Sequence, residues 1–143
     1  MYVLDTNVVS ELRKVRYGKA DAQVAKWADG VEAVSLYVSA ITILELEMGV
    51  LQMESRDRAQ GAILRGWMDN HVLPEFMERV LPVDTAVARR CARLHVPDRR
   101  AERDALIAAT ALVHGMTIVS RNLADFEPTG VPVLNPWNES CDR

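Results

Sequence analysis

Three carboxylic acids stand far apart in this 143-residue sequence, each beside an apolar stretch. Asp5 directly follows an apolar run, Glu45 lies inside another, and Asp104 begins the segment DALIAATALVHG. The nucleophile motif GxSxG, the zinc motif HExxH and the phosphate-binding patterns GxxxxGK[ST] and GxGxxG are all missing from the sequence. Distant acids without these motifs indicate oxygen-ligand chemistry with Mg²⁺ or Mn²⁺. Such an ion orients water, lowers its pKa and stabilises charge on a reacting phosphoryl group.

The elements that must position these acids alternate between short strands and helices. Apolar runs predict strands at 2–4, 34–38, 80–83 and 117–120 and an extended piece at 131–134, with 80–83 at a sheet edge because it contains Pro82. Helical periodicity predicts helices at 7–14, 20–29, 40–54, 56–78 (broken near Pro74), 84–95 and 102–114, with Ser39 and Asp84 as N-caps and Gly30 and Gly115 as ends. This alternation predicts one α/β domain over residues 1–143, with a parallel sheet covered by helices on both faces.

Function in open α/β sheets gathers at the carboxyl ends of the strands. Two predicted strand ends carry polar triplets, DTN at 5–7 and SRN at 120–122. An acid directly after a buried strand is costly unless it is paired, hydrogen-bonded or bound to a metal. We therefore expect Asp5 to be a functional acid, and the alternative role is an N-cap of the helix that follows.

The predicted helix at 40–54 carries two polar strips. At 100° per residue, one strip spans an arc of about 80° and consists of Thr42, Glu45, Gly49 and Gln52. The other strip, nearly opposite, contains Glu47 and Glu54 and is typical of a solvated face. Geometry alone leaves the choice open, and we favour Glu45 because Gly49 clears space beside its carboxylate.

Asp104 opens the predicted helix 102–114. An acid in the first turn complements the helix dipole, and this is the alternative role for Asp104. Ala108 and Ala111 share its face of the helix. Because their side chains are small, the helix can approach the sheet closely and leave room for an ion beside the carboxylate.

Charge is distributed unevenly. The chain has 17 basic and 20 acidic residues, a net charge of −3, which gives no overall basic field for nucleic acid. Residues 89–103 nevertheless contain six arginines against two acids, a local charge of +4. We expect Arg99, Arg100 and Arg103, which immediately precede Asp104, to contact phosphates. The alternatives are a solvated surface, or pairing of these arginines with Glu102 or another neighbouring acid.

Composition indicates a single globular domain, with 49% hydrophobic and 26% charged residues. The longest uncharged apolar stretches are about ten residues, too short to span a bilayer. The N-terminal segment MYVLDTNVVSELRK lacks a basic n-region and a cleavage pattern. Cys91 and Cys141 form no disulfide framework and lack zinc-ligand spacing. We therefore expect a cytoplasmic protein that has no membrane segment.

Three segments of the sequence resemble PIN-domain ribonucleases, and closely the VapC and FitB type of toxin from bacterial toxin–antitoxin pairs. The segments are VLDTNVVSEL, VSAITILELEMGV and DALIAATALVHGMTIVSRNLADFEPTGVPVLNPW, with residues 55–100 the least diagnostic. The family pattern places its acids on Asp5, Glu45 and Asp104. The resemblance implies that these three are catalytic and that Asp5 and Asp104 hold Mg²⁺ or Mn²⁺. We expect Glu45 to act one step out, either binding the ion through water or positioning the nucleophile, because its longer side chain comes from a helix and not from a strand end.

The resemblance further implies a PIN-like three-layer fold, with a parallel sheet of four to five strands between helices. It implies an endoribonuclease that cleaves structured RNA such as tRNA or rRNA. The implied partner is a cognate VapB- or FitA-like antitoxin, which inhibits the enzyme and carries a DNA-binding domain. A homodimer or antitoxin interface is expected on the many apolar positions of helices 40–54 and 56–78: Leu44, Met48, Leu51, Met53, Ile63, Leu64, Trp67 and Met68.

One departure concerns a fourth acid, because the family often has Asp where this chain has Asn122. We expect Asn122 to line the site as a neutral oxygen donor, together with Thr6, Asn7 and Ser120. Asp125 lies in the turn LADF, where Phe126 can anchor the loop, and we expect it to supply charge from beyond the direct ligands. A backbone cap is the alternative role for Asp125.

Two rival functions follow from other classes of protein. Because Asn122 stands where the family often has a fourth acid, the main alternative is a catalytically inactive PIN-like scaffold that binds RNA or protein. A receiver-type signalling module also binds Mg²⁺ at a strand end. It would need paired early acids and a lysine after a late strand, and the sequence has neither.

Overall fold

Five parallel strands form the centre of the computed structural model, which describes residues 1–138. The strands are β1 (Tyr2–Leu4), β2 (Leu36–Ser39), β3 (Val80–Leu81), β4 (Thr117–Val119) and β5 (Val133–Leu134). Their spatial order is β3-β2-β1-β4-β5, and every neighbouring pair is parallel. The strand that contains Pro82 in the prediction, β3, does lie at a sheet edge. Cys141 lies outside the described residues.

Helices connect the strands and cover both faces of the sheet. They are α1 (Thr6–Arg13), α2 (Ala22–Asp29), α3 (Ala40–Arg56), α4 (Arg58–Trp67), α5 (Leu73–Phe76), α6 (Thr85–Leu94), α7 (Glu102–His114) and α8 (Leu123–Phe126). Short 3₁₀ turns occur at Lys14–Tyr17, Ala33–Ser35 and Glu127–Thr129. This architecture confirms the predicted three-layer α/β fold.

The central strands are apolar on both faces because each face packs against helices. Val3 and Leu4 are both fully buried but belong to different cores. Val3 lies in the core that includes Val87 of α6 and Ile107 of α7. Leu4 lies in the core that includes residues of α1 and α3, among them Val8. The two cores hold the two helical layers against the sheet. Because the strands are parallel, the first residue after each strand lies at the same edge of the sheet.

The predicted helix boundaries largely hold where a side chain or glycine enforces them. The Ser39 hydroxyl accepts a hydrogen bond from the Ile41 N–H at 3.0 Å, and the Asp84 carboxylate accepts one from Val87 at 3.0 Å. Gly115 ends α7 in the left-handed conformation, at φ 65°. Strand β2 begins two residues later than the prediction because Ala33–Ser35 forms a 3₁₀ turn.

The predicted interruption near Pro74 is a π turn and not a break in the chain direction. The predicted boundary between helices 40–54 and 56–78 lies at Asp57, whose carboxylate accepts a hydrogen bond from the Gln60 N–H at 3.1 Å and caps α4. After Trp67 the helix widens into a π turn over Met68–Val72, and Pro74 lies in the first turn of α5. A proline is tolerated there because the first helical turn needs no backbone donor at that position.

The predicted solvated face at Glu47 and Glu54 is also corrected. Both carboxylates pair with Arg65 of α4, with their closest contacts at 2.7 and 3.3 Å respectively. A Cβ added at Gly61 would lie 2.5 Å from the Glu54 Cα, so glycine permits the close approach of α4 to α3. This polar strip therefore joins two helices while staying partly in solvent, with 37% of the Glu47 and 36% of the Glu54 side chain exposed.

The apolar positions of α3 and α4 divide between core and surface. Met68, which the sequence assigned to an interface, is fully buried in the core. Leu44, Met48 and Leu51 are exposed along α3, and Ile63 is exposed on α4. Among the helices of the described chain, none combines the length and the apolarity that crossing a bilayer would require.

Candidate functional site

Two adjacent strand ends meet at the carboxyl edge of the sheet. β1 and β4 pair with Leu4 opposite Val119, so Asp5 and Ser120 are the next residue on each strand. The Asp5 N–H donates to the Val119 carbonyl at 2.9 Å, which continues the pairing one residue beyond the strand. The Ser120 hydroxyl donates to Asp5 Oδ2 at 2.7 Å. The structure therefore brings the two polar triplets together, as the sequence predicts.

Asp5 is buried, with 5% of its surface exposed, and its carboxylate is held on both oxygens. Oδ1 accepts the Thr6 N–H at 2.8 Å, and Oδ2 accepts Asn7 Nδ2 at 3.3 Å besides Ser120. Asp5 thus caps α1, which confirms the alternative role, and its place at the sheet edge is compatible with the functional one. Burial raises the pKa of Asp5, the hydrogen bonds from Ser120 and Thr6 lower it, and the charges of Glu45 and Asp125 raise it further.

Glu45 reaches this edge from α3. The Thr6 hydroxyl donates to Glu45 Oε1 at 2.5 Å, and Arg103 Nη1 lies 3.7 Å from Oε2. Thr6 therefore touches both acids, Asp5 through its backbone and Glu45 through its side chain. A Cβ added at Gly49 would meet nothing within 4 Å, so this glycine does leave space on the Glu45 strip. Of the two polar strips of α3, the one with Glu45 lies at the site.

Asp104 projects from the first turn of α7, and Ala108 and Ala111 of this helix are fully buried. The pKa of Asp104 is raised to about 6, and burial is the largest cause. The negative charges of Asp5, Asp125 and Glu45 add to this shift, and the positive charge of Arg103 opposes it. Asp104 therefore lies within electrostatic reach of three other carboxylates, contributed by distant parts of the chain.

Asn122 and Asp125 follow β4 on the same side of the molecule. The Asn122 N–H donates to the Ser120 hydroxyl at 2.9 Å, and its carbonyl accepts the Asp125 N–H at 3.1 Å. The turn predicted around Asp125 is the short helix α8, and Phe126 is fully buried, as expected for an anchor. Asp125 is exposed, and its charge raises the pKa of both Asp5 and Asp104.

The donor set fits a hard divalent cation. Within residues 1–138, no three His, Cys, Asp or Glu side chains converge closely enough to hold an ion by themselves. Mg²⁺ does not require such a group, because it keeps several waters and commonly takes one or two protein carboxylates. Burial is the largest cause of the raised pKa of Asp5 and of Asp104, and repulsion from neighbouring carboxylates adds to both shifts. A bound cation would relieve that repulsion.

The three candidate arginines differ in what they contact. Arg100 donates from Nε to the Leu94 carbonyl at 2.8 Å and from Nη2 to the Pro128 carbonyl at 3.4 Å, so the fold holds its guanidinium. Arg103 lies against Glu45, so its expected alternative role, pairing with a neighbouring acid, is observed with Glu45. Arg99 is exposed. A cleft of about 220 Å³ is lined by Arg99 and Arg100 together with Asp104 and Asp125.

A second cleft, which the sequence did not predict, is lined in part by Glu45. Its volume is about 370 Å³, and its lining includes Thr6, Glu45, Gly49, Arg13 and Lys14. The signal was present in the segment RKVRYGK at 13–19, which has four cations, a tyrosine and no acid. Their relation to Glu45 follows from the packing of α1 against α3, which the segment itself does not reveal.

Asn7 and Arg121 form a further bridge between the two strand ends. The Arg121 N–H donates to Asn7 Oδ1 at 3.4 Å, while Asn7 Nδ2 donates to Asp5. The Arg121 guanidinium lies over the Trp137 ring, 5.1 Å from its centroid. Asn7 therefore fixes the loop after β4 relative to Asp5.

Comparisons with known proteins identify the family and the fold. The family model described as PIN domain matches residues 2–127. The chain is 37% identical over 142 residues to the VapC ribonuclease Y4jK of Sinorhizobium fredii, covering 96% of this chain and 98% of that protein. It is 34% identical over 145 residues to the toxin FitB of Neisseria gonorrhoeae, covering 97% and 100%. The crystal structure of FitAcB from the same organism superposes with a TM-score of 0.86 at 33% identity, covering 96% and 99%.

Proposed function

The chain belongs to the PIN domain family, and from that membership we propose that it is a Mg²⁺- or Mn²⁺-dependent endoribonuclease toxin. The observation that carries the proposal is the gathering of Asp5, Glu45 and Asp104, with the charge of Asp125, at one sheet edge. The relatives named as a VapC ribonuclease and as the toxin FitB support the reaction class.

Asp5 and Asp104 would hold the cation. When bound, the ion supplies Lewis-acid chemistry, lowering the pKa of water and stabilising charge on the phosphoryl group. Ser120 and the Thr6 N–H keep the Asp5 carboxylate oriented, and they favour its ionised form against the cost of burial. The ionised form is the one that binds a cation.

Glu45 would position the attacking water and accept its proton. The Thr6 hydroxyl fixes one carboxylate oxygen, Oε1, so the other is directed toward Arg103 and the open side of the site. A general base acts within hydrogen-bond reach of the proton that it removes. This arrangement gives Glu45 a defined orientation without making it a direct ligand of the cation.

The phosphates of the RNA would be held by Arg99 and Arg103. Both lie beside Asp104 in sequence, and Arg99 lines the same cleft as Asp104 and Asp125. The contacts of Arg100 with two backbone carbonyls favour a structural role for that residue. Structured RNA such as tRNA or rRNA is the proposed substrate class.

We further propose that a cognate antitoxin with a DNA-binding domain inhibits the chain, and that the chain forms a homodimer. Support comes from the similarity to the toxin FitB and from the exposed apolar side chains Leu44, Met48 and Leu51 along α3. An apolar stripe of this kind on a helix favours a protein interface.

The test is cleavage of purified tRNA and rRNA by the purified chain in Mg²⁺, in Mn²⁺ and in EDTA. We expect cleavage only with a divalent cation, and we expect Asp5→Asn to remove it while the fold is retained. The matched control is Asp29→Asn, a change of the same kind at an exposed residue of α2. Equal cleavage in EDTA would refute the metal site. A folded chain that binds RNA but never cuts it would establish the inactive scaffold, the alternative that Asn122 favours because it replaces the family's fourth acid.

A further inference from the structure

We propose that the chain carries a second RNA-binding surface, formed by Arg13, Lys14, Tyr17 and Lys19, that binds single-stranded RNA next to the scissile phosphate. We name it the α1 basic wall. The inference rests on the proposed ribonuclease function and assigns the path by which the RNA strand leaves the acids.

The α1 basic wall is connected to one of the three acids, Glu45, through a shared cleft. The cleft of about 370 Å³ begins at Thr6 and Glu45 and ends at Arg13 and Lys14. A wider hollow of about 770 Å³ is lined by all four residues of the wall and Ile63. Thr6 and Arg13 are seven residues apart on α1, which is about 10 Å along a helix.

The charge of the wall contrasts with that of the chain. The protein has a net charge of −3, yet residues 13–19 contain four cations and no acid. The Lys14 side chain is 49% exposed and pairs at 3.2 Å with Glu11, whose side chain is 13% exposed, so a bound phosphate would share Lys14 with this acid. Arg13 lies over the Trp67 ring at 5.8 Å, which orients its guanidinium.

Tyr17 distinguishes this surface from a plain basic patch. Its side chain is 63% exposed, and it ends a 3₁₀ turn that Gly18 closes in the left-handed conformation, at φ 66°. An exposed aromatic ring between cations is the pattern by which proteins bind single strands, with the cations following the backbone and a base stacking on the ring. An acidic peptide would use the cations but gives the ring no comparable role.

The test measures RNA binding in EDTA, where cleavage does not interfere. The probe is a fluorescein-labelled single-stranded 12-nucleotide RNA of mixed sequence, and anisotropy is recorded between 50 and 300 mM salt. The variants are Lys14→Gln/Lys19→Gln and Tyr17→Ala. The matched control, Arg89→Gln/Arg93→Gln, removes two exposed cations from α6 on the opposite face of the sheet.

We expect Lys14→Gln/Lys19→Gln to lower the RNA affinity by about tenfold. The slope of log affinity against log salt concentration should fall by about 1.4, because each of two single-strand phosphate contacts contributes roughly 0.7. Tyr17→Ala should lose at least about fivefold with an unchanged slope, because stacking releases no counterions. The arginine control should retain both affinity and slope. Thermal melts of all variants establish that each one is folded.

The outcomes separate this inference from the proposed function. Wild-type affinity and slope in both variants, with RNA cleavage intact, would overturn the α1 basic wall and leave the ribonuclease standing. Loss of binding in the variants of a chain that never cleaves RNA would support the wall and refute the nuclease. Unchanged RNA affinity combined with lost antitoxin binding would make the surface a protein interface, and the proposal would be wrong.

Discussion

The Ser120 hydroxyl donates a hydrogen bond of 2.7 Å to Asp5 Oδ2 and joins the ends of β4 and β1 across 115 positions of the sequence. Both residues are buried, with 0% and 5% of their surface exposed. A buried carboxylate is costly unless donors satisfy it, and this hydroxyl opposes the rise in the pKa of Asp5 that burial causes. The bond therefore orients a buried acid at the sheet edge and favours its ionised form against the cost of burial.

We predict that Ser120→Ala raises the pKa of Asp5 further and weakens Mn²⁺ binding. Removing a donor from a buried charged group should also lower the free energy of unfolding by about 1.5–3 kcal/mol. Calorimetric titration with Mn²⁺ and denaturant unfolding measure the two effects. Ser55→Ala removes an exposed hydroxyl that donates to the Gln52 carbonyl and serves as the control. Wild-type Mn²⁺ affinity in Ser120→Ala would show that the hydroxyl does not support the metal site.

Glu45→Gln should lose most turnover and keep RNA binding, because the amide retains the shape of the side chain but cannot accept a proton. We expect kcat to fall by about 10²–10⁴-fold, as for removal of a general base. Thr6→Val should have a smaller effect in the same direction, since it removes the hydrogen bond to Glu45 Oε1. Glu47→Gln makes the same change on the opposite strip of α3 and should leave kcat unchanged. Loss of folding in Glu45→Gln would instead indicate a structural role.

Asp125→Ala should weaken Mn²⁺ affinity by about tenfold, the usual effect of a group that acts on a metal from beyond its ligands. Asn122→Ala should have a smaller effect, because the amide contributes no charge. Calorimetric titration of both variants compares them directly. If neither affinity changes, the site consists of Asp5, Glu45 and Asp104 alone. Abolished Mn²⁺ binding in Asp125→Ala would identify Asp125 as a direct ligand of the cation, contrary to its expected place beyond the direct ligands.

The metal-free protein should be more stable at pH 5 than at pH 7. The pKa of Asp104 is raised to about 6 in the folded state, so this state binds more protons than the unfolded chain between about pH 4 and 6. Stability is therefore present at low pH and is lost as the pH rises through 6. Melting in EDTA should show a Tm several degrees higher at pH 5, at roughly 2–4 °C per kcal/mol.

Two comparisons control this pH prediction. Asp104→Asn should reduce the dependence between pH 5 and 7, because the asparagine does not titrate and only the raised pKa of Asp5 remains. Saturating Mn²⁺ should reverse it, since the cation binds the ionised carboxylates and stabilises the folded state by mass action. A Tm of metal-free wild type that rises between pH 5 and 7 would contradict the predicted sign.

The sequence by itself determined the elements and two of the acids. Strand β1 is apolar on both faces, Ser39 and Asp84 cap helices, and Gly115 ends α7, and each of these signals acts over a few neighbouring residues. Asp5 directly follows a strand and Asp104 opens a helix with small residues on its face, so local pattern was sufficient to select both. These features depend on backbone preference and periodicity, which a sequence displays directly.

Only the tertiary structure decided which side chains meet. The helical wheel separates Glu45 from Glu47, but it does not say which strip faces the site, because that depends on the packing of α3. Arg65 answers the question by pairing with Glu47 from α4, and Gly61 permits the close approach. Arg100 shows the same limit, since its backbone-carbonyl partners include Pro128, 28 positions away.

Strand order has the largest influence on which side chains of the site come into contact. Ser120 reaches Asp5 because β4 pairs with β1, and the α1 basic wall shares a cleft with Glu45 because α1 packs beside α3. Such contacts join residues that are distant in sequence and depend on the shape and burial of whole elements. Local propensity contains no information about them, which is the physical reason that the sequence predicted the parts of this site and the fold determined their arrangement.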